Sequence, residues 1–154
     1  MGSRPTLLPL LLGMRALGID FGEKRIGLAV SDPDGRVATP LETLIRKSDR
    51  EAIERISDIA RREGVERLVV GEPVGLDGNR GTAAERVGSF ARKLQHETGL
   101  PCQLVDESLT SVEAEERLRE AGVDPRRHPE RIDALAAQIL LQQTLDREQR
   151  TDAS

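Results

Sequence analysis

Three observations predict an α/β fold with a mixed five-stranded sheet and helices on both faces. The first is an alternating strand that ends in a carboxylate and turns at once into a second strand: Ala16-Leu17-Gly18-Ile19-Asp20-Phe21, a turn at Gly22, then Ile26-Gly27-Leu28-Ala29-Val30. The second is the order of elements along the chain, β-β-β-α-β-α-β-α-α. An antiparallel meander followed by strand–helix alternation requires a sheet of mixed direction. The third is Arg67-Leu68-Val69-Val70-Gly71, a short unbroken apolar run of the kind buried on both faces of a parallel sheet.

Each element has its own local reason. In the first strand Leu17, Ile19 and Phe21 alternate with Ala16, Gly18 and Asp20, which puts Asp20 near the C-terminal end. Asp32-Pro33-Asp34-Gly35 is a turn, and Arg36 to Ile45 follows as a third strand whose Pro40 implies an edge position or a bulge. Ser48-Asp49-Arg50-Glu51 is a capping box that opens a helix running through Arg62, with Gly64 as its stop. Ile53, Ile56 and Ala60, with Ile59 alongside, give that helix an apolar stripe. A Gly-rich loop, Glu72 to Gly81, follows the fourth strand; Thr82 to Glu85 is a second capping box, for a helix to Thr98. Cys102 to Asp106 is the fifth strand. Thr110 to Glu113 is a third capping box, for a helix that stops at Gly122. Beyond a basic loop punctuated by Pro125 and Pro129, a last helix runs from about Glu130 to Arg147. No repeat or long linker divides the chain, so residues 14–148 are expected to form one domain, preceded by a disordered extension at 1–13 and followed by a flexible tail at 149–154. Met14 is an alternative start.

Composition narrows the function. The chain has 154 residues, 37% hydrophobic and 32% charged, ordinary values for a globular domain. A net charge of −4 argues against non-specific coating of nucleic acid, but not against a local basic surface beside an acidic metal site. Phe21 and Phe90 are the only aromatic residues, which disfavours base stacking on aromatic platforms; a nucleic acid would be held by its backbone or its shape. The single cysteine, Cys102, rules out an internal disulfide and suits a reducing cytoplasm; it reads as a small core residue. The apolar run Leu7 to Leu12 is too short to span a membrane, and no membrane association is expected.

Three places put carboxylates where burial is expected: Asp20, the pair Asp106-Glu107 after the fifth strand, and Asp133 on the last helix. Asp133 heads a face shared with Ala136, Ala137, Leu140, Leu141 and Thr144, and the small alanines let that helix approach the sheet closely. Asp106 and Glu107 point to opposite faces of their strand, so one of them reaches a site shared with Asp20. Each acid also has a plainer use: a turn cap for Asp20, backbone N–H groups for Asp106, solvent for Glu107, and the helix macrodipole for Asp133. Three hard oxygen ligands without a His/Cys cluster suit Mg²⁺ or Mn²⁺ rather than zinc. Two such ions, ~4 Å apart, can activate a water and stabilise the leaving oxygen in phosphodiester cleavage. Lys24 and Arg25 beside the Gly22 turn, Arg80, Arg86, and the cluster Arg126, Arg127 and Arg131 could grip a phosphate backbone; a solvated surface is the plainer reading for any one of them.

The stretches Gly18-Ile19-Asp20-Phe21-Gly22 with Lys24-Arg25-Ile26-Gly27, Val70-Gly71-Glu72-Pro73 with Asp77-Gly78, Asp106-Glu107-Ser108-Leu109-Thr110-Ser111, and Asp133-Ala134-Leu135-Ala136-Ala137-Gln138-Ile139-Leu140 occur in this order. Together they resemble the YqgF/RuvX family of Holliday junction resolvases and pre-16S rRNA nucleases, in the RNase H-like superfamily. The resemblance covers Arg15 to about Leu145. It implies an RNase H-like fold, Asp20, Glu107 and Asp133 as catalytic metal-binding acids, two Mg²⁺ or Mn²⁺ ions, and cleavage of structured RNA or branched DNA. Two departures stand out. Where the family reads Asp-Glu-Arg this chain has Ser108, which removes a phosphate contact, and Glu72 replaces an apolar residue and is a candidate extra ligand. The expectation is a cytoplasmic metal-dependent nuclease, acting in pre-16S rRNA processing and ribosome biogenesis or in Holliday junction resolution. A junction cut symmetrically would call for a homodimer, and trimming one RNA end would not. The rivals are a non-catalytic ribosome-assembly or junction-binding factor and, on Asp20-Phe21-Gly22, a phosphotransferase of the actin/sugar-kinase type.

Overall fold

The computed structural model describes residues 13–73, 80–107 and 110–153. The expected extension before Gly13, positions 74–79 of the Gly-rich loop, Ser108, and the side chains of Arg80 and Glu107 lie outside the described residues. Five strands, β1 (Ala16–Phe21), β2 (Arg25–Ser31), β3 (Ala38–Ile45), β4 (Arg67–Pro73) and β5 (Cys102–Glu107), form one sheet in the order β3-β2-β1-β4-β5. β1 is antiparallel to β2 and β2 to β3, whereas β1 with β4 and β4 with β5 run parallel. The helices are α1 (Asp49–Glu63), α2 (Arg80–Thr98), α3 (Thr110–Glu120) and α4 (Pro129–Ala153), with a 3-10 turn at Pro125–Arg127. The mixed sheet expected from the sequence is what forms.

The two faces of the sheet are built differently. On one, Leu17, Ile19, Ile26, Leu28, Leu68 and Val70 interlock with Ile53 and Ile56 of α1 and Val87, Phe90 and Leu94 of α2. On the other, small residues line the strands: Ala16, Ala29, Ala38, Val69 and Val105 meet Ala137, Leu140, Leu141 and Leu145 of α4. α3 stacks outside α4 through Ala114 against Ala136 and Ile139. Fully burying a Leu or Ile contributes about 1.5–3 kcal/mol, so the first face supplies most of the hydrophobic stabilisation and the second permits close approach of a helix.

Local signals in the sequence account for the element ends. Ser48 caps α1, its hydroxyl accepting from the Glu51 N–H at 3.2 Å, and Gly64 ends it in the left-handed conformation at φ 67°. β3 is an edge strand, and its register against β2 shifts between Leu28 and Ala29 as it passes Pro40, so both consequences expected of that proline are present. β3 begins at Ala38 rather than Arg36, because the Asp32 carboxylate accepts the N–H groups of Arg36 and Val37 at 2.7 and 2.9 Å and keeps them in the turn. Those two bonds, Val37 first, also hold the Asp32 carboxyl below its ordinary pKa. α2 begins at Arg80, so Thr82 falls inside its first turn, and α4 runs past Arg147 to Ala153.

That extension of α4 serves a buried ion pair. Arg67, at the start of β4, donates to both carboxylate oxygens of Glu148 at 2.9 and 2.6 Å, with side-chain exposures of 1% and 6%. α4 is also tied to the outer edge of the sheet. Gln142 accepts the Ala38 N–H at 2.9 Å and donates to the Arg36 carbonyl at 2.9 Å, Gln138 donates to the Ala38 carbonyl, and the Thr43 hydroxyl donates to the Glu130 carbonyl at 2.5 Å. These bonds satisfy polar groups of an edge strand and fix where α4 starts along the sheet. Among the described residues no helix is long and apolar enough to cross a membrane.

Candidate active site

The register of β1 carries Asp20 to the face covered by α4. Gly18, two residues before it, faces Ala137 and Leu141: a Cβ there would lie 3.2 Å from the Ala137 carbonyl oxygen and 2.8 Å from the Leu141 Cβ. Strand side chains repeat every two residues, so Asp20 shares that face. Its antiparallel partner is Gly27. A Cβ on Gly27 would sit 1.9 Å from the carbonyl oxygen of Asp133 and 2.3 Å from its carbonyl carbon. The first turn of α4 therefore rests directly on the bare backbone of β2, and only glycine fits between them. Asp20 and the backbone of Asp133, far apart in the chain, are both neighbours of this one glycine.

β5 supplies the third candidate by the same alternation. Val105 belongs to the α4 face, so position 107 does as well, while Asp106 is exposed on the other. Of the two adjacent acids, Glu107 is the one at a register position facing the same side as Asp20. Glu72 pairs with Asp106 in the β4–β5 register and alternates with Val70, so it falls on the face of α1 and α2. That placement counts against Glu72 as an extra ligand. Among the described side chains, no group of three His, Cys, Asp or Glu is gathered round one point. Asp20 and Asp133, both neighbours of Gly27, offer hard carboxylate oxygens, and Cys102 lies on the opposite face, so the chemistry of the set fits Mg²⁺ or Mn²⁺.

The basic residues are arranged less uniformly than the sequence suggests. Arg25, the first residue of β2, donates through Nε to Asp133 Oδ2 at 2.5 Å; the two side chains are 41% and 21% exposed. Lys24 is exposed on the Gly22 turn, and Arg86 of α2 reaches Glu23 of that turn at 3.6 Å. Arg126 and Arg127 are almost fully exposed just before α4 and lean on Asp124 at 3.5 and 3.9 Å. The Asp124 carboxyl is held below its ordinary pKa, first by the Arg126 backbone N–H and then by that residue's charge. Arg131 is exposed on the first turn of α4. His96 is exposed on α2, and His128 pairs with Glu130 at 3.7 Å, so neither joins the acids.

Arg46 is a residue that sequence reasoning missed. Its backbone N–H donates to the Lys24 carbonyl at 2.8 Å, its Nη1 to the Glu23 carbonyl at 2.8 Å, and its guanidinium pairs with Asp49 at 2.7 Å while lying 5.2 Å from the Phe21 ring centroid. It clamps the turn between Asp20 and Arg25. The only hint in the sequence was an arginine two residues before the α1 cap.

The RuvX family model, described as Holliday junction resolvase, matches residues 14–147. The chain belongs to this family. Curated RuvX relatives include a protein of Syntrophus aciditrophicus (strain SB) that is 47% identical over 86% of this chain and 89% of its own length. Another, from Anaeromyxobacter sp. (strain K), is 43% identical over 87% of this chain and 98% of its own length. Both carry the name "Putative pre-16S rRNA nuclease". Among solved structures, RuvC of T. thermophilus in complex with a Holliday junction substrate superposes with a TM-score of 0.60 at 20% identity, covering 90% of this chain and 97% of that one. The likeness shows that the sheet and its helices have the RuvC-like RNase H fold.

Proposed function

We propose that this chain is a divalent-metal-dependent nuclease that hydrolyses phosphodiester bonds in structured nucleic acid, with precursor 16S rRNA as its substrate. The observation that supports the proposal is backbone register: Asp20 pairs with Gly27, and the Asp133 backbone at the start of α4 rests on that same glycine. The names of relatives 43–47% identical support the RNA substrate, whereas the description of the family model names a four-way junction as the alternative. A cytoplasmic location goes with this reading.

Asp20, Asp133 and Glu107 would hold the cations, and their role is to concentrate negative charge at one point. Bound there, Mg²⁺ or Mn²⁺ supplies a nucleophile at neutral pH and stabilises the leaving oxygen. The rest falls to the chain itself. Lys24 on the Gly22 turn, Arg86 beside it, and Arg126 and Arg127 before α4 hold the phosphate backbone, with Arg80 at the start of α2 as a further contact. Contacts to the backbone position the substrate without reading its sequence. Arg46 fixes the turn on which Lys24 is carried.

The test is cleavage of precursor 16S rRNA and of a four-way DNA junction side by side with Mn²⁺, using wild type, Asp20→Asn and Asp133→Asn. Either substitution should lower cleavage at least about 100-fold while RNA affinity holds or rises, because an amide keeps the shape but removes charge that the cations need. Full activity in a folded Asp133→Asn protein would return that residue to the role of a helix-start acid, worth under about 1 kcal/mol of stability. Junction cleavage without RNA cleavage would overturn the substrate.

A further inference from the structure

Two arginine–carboxylate pairs tie strands of this sheet to α4, and they are built in opposite ways. Arg67 and Glu148 make a two-pronged pair shut away from solvent. Arg25 engages Asp133 through Nε alone, and its side chain is 41% exposed. A single-nitrogen contact open to water is easily exchanged, whereas a desolvated fork is not. The exchangeable pair sits on the carboxylate proposed to bind a divalent cation. Among the described residues Arg25 is the only cation in ion-pair contact with Asp133.

We propose that Arg25 is a placeholder cation for the candidate metal site: it neutralises Asp133 in the metal-free protein and is displaced when a divalent ion takes that carboxylate. This rests on the nuclease reading given above and adds to it a control on metal loading. Without the guanidinium, Asp133 would face Asp20 across Gly27 with its charge unpaired, so Arg25 stabilises the empty site. For the same reason it competes with the ion and raises the concentration needed to fill the site. Arg25 is thus a positioning residue whose contribution differs between the two states.

The experiment uses the full chain, with MnCl₂ as the probe, followed by titration calorimetry and by thermal melts in EDTA and in saturating Mn²⁺. Arg25→Gln should bind Mn²⁺ about five-fold more tightly than wild type, which is about 1 kcal/mol at 1.4 kcal/mol per tenfold. It should melt below wild type in EDTA and level with it in saturating Mn²⁺. Lys24→Gln removes the neighbouring positive charge without touching Asp133, and should change affinity less than two-fold. Arg25→Lys keeps the charge and should stay close to wild type in affinity, providing a folded variant if the glutamine is poorly tolerated. Equal effects of Arg25→Gln and Lys24→Gln would overturn the proposal in favour of a general field effect. An equal loss of melting temperature with and without Mn²⁺ would also overturn it, as the mark of a purely structural pair. If wild type gives neither heat nor a melting shift with Mn²⁺, the metal reading itself fails and the placeholder role fails with it, an outcome distinct from the other two.

Discussion

Replacing Gly27 by alanine tests the geometry on which the site depends. The added methyl carbon would lie 1.9 Å from the Asp133 carbonyl oxygen and 2.9 Å from the Ala134 nitrogen. Cβ atoms essentially never approach another heavy atom within 3.0 Å, so the first turn of α4 must retreat by more than about 1 Å. Overpacking of a filled interior costs about 1–3 kcal/mol. In a domain of this size that lowers the melting temperature by roughly 2–12 °C. The larger effect is on chemistry: the residue driven outward is Asp133, and a displacement of about 1 Å at a reacting centre can cost about 100-fold in rate. Gly18→Ala is the matched control. Its nearest conflicts are the Leu141 Cβ at 2.8 Å and the Ala137 carbonyl oxygen at 3.2 Å, farther along the same helix. At 1.5 Å per residue the Leu141 contact is about 12 Å from Asp133, so this variant should lose stability but keep cleavage per folded molecule within about three-fold. The assay is Mn²⁺-dependent cleavage well below the melting temperature of each variant, alongside the melt itself. Wild-type stability and full cleavage by Gly27→Ala would refute the contact between α4 and β2.

Other predictions follow from single contacts. Glu148→Ala leaves Arg67 buried without its partner and should cost about 3–5 kcal/mol in chemical denaturation with cleavage per folded molecule unchanged; a loss below about 1 kcal/mol would mean the pair is not desolvated. Burial pushes the Cys102 thiol from 9.0 up to about 11, so iodoacetamide should label the native protein much more slowly than the denatured chain at pH 8. Because that shift is upward, the stability linked to it is intact below pH 9.0 and is lost as pH rises toward 11, a slope that Cys102→Ala should remove. Changing Arg126 and Arg127 together to alanine should weaken RNA binding similarly across sequences and make its salt slope shallower by about two; an unchanged slope would leave both as solvated surface residues.

The parts of this molecule that were legible in its sequence are those set by near neighbours. Ser48 and Gly64 announced the ends of α1, and Pro40 announced an edge position or a bulge, because caps and ring constraints act within a few residues. Asp20, Glu107 and Asp133 stood out because acids at the ends of apolar elements need partners, although their assignment as ligands came through family likeness. What puts Asp106 and position 107 on opposite faces, and Glu72 on the face of α1 and α2, is sheet register, which joins residues from separate strands. The pair Arg25–Asp133 spans 108 positions and Arg67–Glu148 spans 81, beyond any local pattern. One signal for the second pair was present: Glu148 continues the row Ala137, Leu141 and Leu145 down the buried face of α4, where a charged residue demands a counter-charge. β3 came out shorter than expected because the Asp32 side chain competed for two backbone N–H groups that the alternation had assigned to the strand.

The dependence of the site on α4 has a consequence for synthesis. A chain emerging N-terminus first exposes β1, β2 and the parallel strands long before residues 129–153 leave the ribosome. Until then the small-residue face made by Ala16, Ala29 and Val69 has nothing to cover it, and Asp20 has no Asp133 opposite. Contacts of such sequence separation also carry a loop-closure cost that must be met before they stabilise the chain. Asp133 therefore reaches its place beside Gly27 only as the last helix docks, and an unfinished chain carries no assembled candidate site while it remains beside nascent and ribosomal RNA.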